Sequence, residues 1–163
     1  MELIAVPNVS EGRDAAAIAA IGAAFAAAGA RLLDVHSDAD HHRSVYTLAA
    51  PPGRLGPALA AGAREVLERV DLRTERGSHP HVGALDVAPV VFQTEAQRGA
   101  ACAEALLTAG LLEELGLPVY LYGLLAGGRT RADLRRQGGR ALDDIAPDFG
   151  PRRRDARHGA TLV

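Results

Sequence analysis

"ARLLDVHSDADHHRSVYTLAA", residues 30–50, holds two β-like runs, 30–37 and 43–50, with only a short polar loop between them. That loop contains Asp38, Asp40, His41 and His42. Two β runs with no helix between them read as an antiparallel hairpin, and this pairing sets the fold class. Upstream, "ELIAVPN" is short, apolar and closed by Pro7, the pattern of a strand. "DAAAIAAIGAAFAAAG" (14–29) is rich in the best helix former, spaces Ile18, Ile21 and Phe25 on one face and ends at Gly29.

Downstream, "PPG" ends the hairpin and 54–70 reads as a helix with Leu55, Leu59, Val66, Leu67 and Val70 inward. "ALDVAPVVFQ" (84–93) reads as a strand in which Pro89 marks an edge or bulge. A helix over 94–116, capped by Thr94 and closed by Gly116, leads into a buried strand at 118–123. After Gly127 and Gly128 the sequence turns polar and irregular. The order is strand–helix–strand–strand–helix–strand, then one more helix and strand. It predicts an α+β fold: a ferredoxin-like α/β sandwich with a mainly antiparallel sheet and helices on one face. Strands this apolar imply that the second sheet face is covered by another domain or subunit.

Composition narrows the function classes. With 163 residues, 48% hydrophobic and 23% charged, the chain fits one globular domain. No apolar run approaches the roughly 20 residues that span a bilayer, and the start lacks the pattern of a signal peptide. Cys102 is the only cysteine, so no intrachain disulfide forms and a cytoplasmic setting is expected, without a membrane partner. The net charge of −2 gives no support to a nucleic-acid partner. Its distribution is uneven: residues 129–163 carry nine arginines against five aspartates, and residues 1–128 carry nine arginines against 15 acids. We therefore divide the chain into 1–128 and a basic segment, 129–163.

Three loops carry candidate chemistry. In "VPNVSEGRD" (6–14), Ser10 or Asp14 suits a helix cap, while Asn8, Ser10 and Glu11 sit at the carboxyl end of a strand, where ligands bind in many α/β proteins. The loop at 34–47 is rich in Asp and His, but its spacing matches no closed zinc pattern, so no metal is expected. In "RGSHPHVGALDV" (76–87), Pro80 restricts His79 before it, which lowers the cost of ordering the imidazole. Imidazole titrates near pH 6.5 and so can take and return a proton close to neutrality. From the residues alone, His79 is either an acid/base group or an ordinary turn residue.

Several stretches in order resemble the N-terminal half of the formiminotransferase domain family: "VPNVSEGR" (6–13), "LLDV" with "HRSVYT" (32–47), "GSHPHVGALDVAP" (77–89), "EELGLPVYLYG" (113–123) and "PDFGP" (147–151). The resemblance implies transfer of a formimino group from N-formiminoglutamate to tetrahydrofolate, a one-carbon step of histidine degradation. It implies a catalytic histidine at His79 and a folate-binding stretch over 150–159, from Gly150 to Gly159. Arg152, Arg153, Arg154 and Arg157 would clamp carboxylates there, and Arg43 would hold the formiminoglutamate end. The family fold is two ferredoxin-like subdomains around a tunnel, so the expected partners are small-molecule substrates and either a homo-oligomer or a complementing C-terminal subdomain on another chain.

The match has departures. Ser78 stands where the family has Glu, His81 where it has Arg, His42 where it has Asn, and Leu124 where it has Glu. His42 and His81 therefore join Asn8, Ser10, Glu11 and Arg43 as substrate-contact candidates. Two other readings stay open: a diverged transferase acting on another formimino or formyl donor, and a non-catalytic ligand-binding or assembly subunit of the same fold.

Overall fold

The computed structural model describes the backbone of residues 1–163 and all side chains except those of residues 137 and 138. The first strand is interrupted into β1 (Leu3–Ala5) and β2 (Asn8–Val9), followed by α1 (Ala15–Ala27). The hairpin is β3 (Arg31–Asp38) with β4 (Arg43–Ala50), and α2 (Leu55–Arg69) follows. The next strand is also split, into β5 (Leu85–Val87) and β6 (Val90–Val91), before α3 (Arg98–Glu114) and β7 (Val119–Tyr120). A short α4 (Arg131–Arg135), a 3₁₀ run (Arg136–Asp143) and β8 (Thr161–Leu162) complete the chain.

Prolines explain both splits. Pro7 and Pro89 lack the N–H a ladder needs, and here their carbonyls do the bonding: Tyr46 N donates to Pro7 at 3.0 Å and Val6 N to Pro89 at 3.2 Å. β4 is the centre of the sheet, antiparallel to β3 on one side and to β1 and β2 on the other. β6 continues antiparallel beyond β1, and β5 beyond β2. β8 then pairs parallel with both β5 and β7. The fold is α+β with a mainly antiparallel sheet, as expected.

Helices α1, α2 and α3 bury their apolar faces on one side of this sheet. Asp14 caps α1 by accepting from Ala16 N at 2.9 Å and Ala17 N at 3.1 Å. Phe25 meets Tyr46 edge to face at 5.3 Å, and Gly62 of α2 makes room for Phe25. A Cβ on Gly62 would lie 2.0 Å from that ring. No residue at the start of α2 caps it; instead the buried carboxylate of Glu104, from α3, accepts from Gly53 N and Gly56 N at 2.5 Å each.

Two expectations change. Helical structure is not confined to one face: Leu134 of α4 and Leu142 of the 3₁₀ run pack with Val87, Tyr120 and Leu162 in a second apolar cluster. Tyr120 points there while its neighbours Val119 and Leu121 enter the main core, as strand alternation requires. The basic C-terminal segment is thus built into the sheet, and it covers part of the second face from within the same chain. The hairpin's outer strand, in contrast, is largely exposed, with Leu33 at 44% and Val35 at 37%.

Candidate functional site

β4 alternates. Tyr46, Leu48 and Ala50 enter the main core, so Arg43, Val45 and Thr47 face the other side of the sheet. Asn8 lies opposite Val45 in the ladder and shares that face. Next to them, in β5, stands Asp86, which has no exposed surface. Its Oδ1 accepts from Val82 N at 2.6 Å and Gly83 N at 3.1 Å; its Oδ2 accepts from Arg43 Nη2 at 2.5 Å and from Arg135 of α4. A buried carboxylate is stable only when paired and fully hydrogen-bonded, and here both oxygens are satisfied.

Arg43 is the distributor. Besides Asp86, its Nε donates to Asn8 Oδ1 at 3.1 Å, and its Nη1 lies 3.1 Å from His79 Nδ1. The same His79 Nδ1 lies 2.6 Å from the Pro80 carbonyl. One nitrogen cannot accept from Arg43 and donate to Pro80 at once, so the two contacts belong to different tautomers. With the proton on Nδ1, the Pro80 carbonyl is satisfied and Nε2 is a free base. With the proton on Nε2, Nδ1 accepts from Arg43. Partial burial, the Arg43 guanidinium and, more weakly, Arg135 hold His79 below the usual imidazole range, against the opposing pull of the Pro80 carbonyl and Asp86. The imidazole is neutral at pH 7 and able to accept a proton.

The loops that flank this cluster brace each other. Asp38 accepts from Asp40 N at 2.9 Å and His41 N at 2.8 Å, while His41 stands edge-on to His79 at 5.8 Å. Ser78 N and Oγ both donate to the Asp40 carbonyl at 3.1 Å. His42 adopts a φ of 51° and accepts from Gly12 N at 2.9 Å, with Glu11 Oε1 3.4 Å away and Glu75 Oε2 3.9 Å from its Nε2. Gly12 is required there: a Cβ would sit 2.3 Å from the Asp38 carbonyl oxygen. Ser10 donates to the Gly83 carbonyl at 2.8 Å and is buried, and Glu11 Oε1 accepts from Arg13 N and Asp14 N. Ser10 and Glu11 thus shape the loop at the strand end.

Beside this cluster a cavity of about 690 Å³ is lined by Arg152, Arg153, Arg154, His81, Val82 and Gly159 among others. Arg154 pairs with Asp143; among the described residues, Arg152 and Arg153 have no acidic partner. The cavity lining therefore holds three arginines against two acids, Asp143 and Asp155, together with the apolar residues Leu72, Val82 and Leu142, a mixed wall compatible with a carboxylate-bearing molecule that has an apolar part. Val82 links the two regions, with its N–H on Asp86 and its side chain in the cavity wall. Arg157 lies outside it, donating to the Glu68 carbonyl at 3.2 Å, and Gly150 N donates to Glu113 Oε1 at 3.0 Å. Among the described residues, no group of three His, Cys, Asp or Glu side chains is placed to hold a metal ion. Among the described residues, no helix is long and apolar enough to cross a membrane.

Asp86 and Arg135 escaped the sequence reading. Asp86 did carry a signal, an acid inside the apolar run "ALDVAPVV", which implies a partnered buried charge. Arg135 carried none, since it is one of nine arginines in a polar segment.

The family described as the formiminotransferase domain, N-terminal subdomain, matches residues 3–163. Formimidoyltransferase-cyclodeaminase of Gallus gallus is 37% identical over 170 residues, covering 97% of this chain and 31% of the relative. Glutamate formimidoyltransferase of Thermoplasma acidophilum is 38% identical over 132 residues, covering 79% of this chain and 43% of the relative. The enzyme of the same name from Streptococcus pyogenes is 33% identical over 170 residues, covering 97% and 56%. The chain spans between about a third and just over half the length of these relatives. With its motifs in order and its whole length matched, this chain belongs to the formiminotransferase domain family, as an N-terminal subdomain.

Proposed function

We propose that this chain is the histidine-bearing half of a formimidoyltransferase that moves a formimino group from N-formiminoglutamate to tetrahydrofolate. The observation that carries the reading is His79, held by Arg43 and Pro80 with its proton affinity lowered and an arginine-lined cavity alongside. In this mechanism N5 of tetrahydrofolate attacks the formimino carbon, forming a new C–N bond and a tetrahedral intermediate. That intermediate collapses with cleavage of the bond to the glutamate nitrogen, which leaves as an amine. His79 takes the proton from N5 and returns it to the departing nitrogen, so no net proton is consumed. Nε2 is the working nitrogen when Nδ1–H rests on the Pro80 carbonyl.

Arg152 and Arg153 would bind the folate carboxylates, with Arg154, Gly150, Arg157 and Gly159 shaping that segment. Arg43, Asn8, Ser10, Glu11, His42 and His81 would form the donor side. We further infer a ferredoxin-like core, supported by the spatial order of its four strand runs: second, third, first, fourth. The sheet face bearing Arg43 would meet a complementing C-terminal subdomain, a partner suggested by the extra length of the relatives. No metal takes part in the proposed steps, and the setting is cytoplasmic.

The test is formimino transfer by this chain combined with a C-terminal subdomain. His79→Ala should lower turnover by about 10²–10⁴ while leaving folate affinity nearly unchanged, because acid/base help is felt in the transition state. Wild-type turnover in that variant would make His79 a turn residue only.

A further inference from the structure

His41 is a second imidazole beside His79, and the mechanism above leaves it unused. The two rings stand edge to face, with centroids 5.8 Å apart and planes at 80°. Asp38, three residues back, places its Oδ2 3.0 Å from His41 Nδ1. Its Oδ1 accepts from Asp40 N and His41 N, so one carboxylate holds both the backbone and the ring of His41. The His41 N–H and, after it, the imidazole and the Asp40 N–H hold the Asp38 carboxyl below its ordinary range, so it is ionised at neutral pH. An ionised carboxylate only accepts, which fixes the imidazole proton on Nδ1. Nε2, across the ring, keeps a bare lone pair. The side chain is half exposed, and among the described residues nothing donates to that nitrogen.

We propose that His41 reads the group being transferred: its Nε2 accepts from the terminal imino N–H of the donor, and so selects a formimino donor over a formyl donor. The inference rests on the transferase reading above and adds the residue that separates these two donor classes. The two groups have nearly the same shape and differ at one atom. A formimino group ends in a nitrogen that carries hydrogen, and in neutral water it takes up a proton to become an amidinium. A formyl group ends in an oxygen that only accepts. Against a lone pair on Nε2, the first makes a hydrogen bond and the second sets acceptor against acceptor. The Asp38 carboxylate behind the ring adds an attraction for the cationic group. Rings in edge contact can both touch one small planar group, so an imino nitrogen held at His41 keeps the formimino carbon close to His79.

The experiment uses the full chain combined with a C-terminal subdomain, its histidines isotope-labelled at nitrogen, and titrated without folate so that no transfer occurs. Nitrogen chemical shifts report which ring atom carries the proton. The expected result is the Nδ1–H tautomer at His41, with the Nε2 resonance moving when N-formiminoglutamate is added. That donor should bind roughly tenfold more tightly than N-formylglutamate. His41→Phe keeps an aromatic ring beside His79 but has no nitrogen, and should abolish the preference. Asp38→Asn still accepts from Asp40 N and His41 N, but its amide donates to Nδ1 and moves the imidazole proton to Nε2. That variant should lose or reverse the preference. An Nε2–H tautomer in the unmodified chain overturns the proposal. So does equal binding of the two donors, no binding of either, or a preference that survives His41→Phe. Failure of the transferase reading shows separately: His79→Ala leaves the donor preference intact, so wild-type turnover in that variant removes His79 as proton carrier and leaves His41 untouched.

Discussion

Asp86 and Arg43 set the chemistry of the site because each is bound by more than one partner. Removing the charge at Asp86 leaves two guanidinium groups facing each other on a covered face. Asp86→Asn should therefore cost about 3–5 kcal/mol, visible as a lower urea midpoint with an unchanged slope. A loss below 1 kcal/mol would mean that the pairs with Arg43 and Arg135 are not needed to neutralise it. Arg43 also bears on the proton affinity of His79, second to the partial burial of the ring. Partial burial and, after it, the positive charge of Arg43 lower the imidazole's proton affinity, so in the proposed reaction the acid limb of the pH–rate profile should lie below the usual value near 6.5. Arg43→Gln removes that charge and should move the limb upward, towards higher pH. An unmoved limb would separate His79 from Arg43.

At the scale of elements, the three-helix layer depends on close approach, and its glycines divide accordingly. Gly62 lies where α2 crosses Phe25, and a side chain there has no space. Gly62→Ala should destabilise by about 1–3 kcal/mol through overpacking. Gly110 in α3 has nothing within 4 Å of where its Cβ would be. There Gly110→Ala should stabilise by up to about 1 kcal/mol, the ordinary helix preference for alanine. Thermal melts of the two variants should shift in opposite directions; shifts of the same sign would mean that the contact at Phe25 is not what restrains Gly62. The helices themselves were legible in the sequence because alanine-rich stretches, Asp14 and the terminal glycines act locally. The cap on α2 was not legible, since Glu104 reaches it from a different helix.

Across the whole molecule, β8 holds the sheet together despite its two residues. It pairs with both β5 and β7 and sends Leu162 into the second cluster, while Val163, the residue after it, enters the main core. Deleting residues 159–163 should leave β5 and β7 unpaired along that side and abolish cooperative unfolding, read as loss of the near-ultraviolet circular dichroism transition. A truncated chain that melts as sharply as the full one would make β8 dispensable. Residue order alone determined the hairpin, helices α1 to α3, the irregularity at Pro89 and the family, because periodicity, turn chemistry and contiguous motifs are written in neighbouring residues; that the first strand resumes after Pro7 and that 131–135 is helical were not read from it. It also marked out His79, since Pro80 stiffens the turn from the next position. Tertiary structure alone decided that Asp86 would be neutralised by Arg43 and Arg135, which lie 43 and 49 residues away, and that β8 would join the sheet. Two residues carry no period to read, and the partner of a buried charge is set by which strands come together in space.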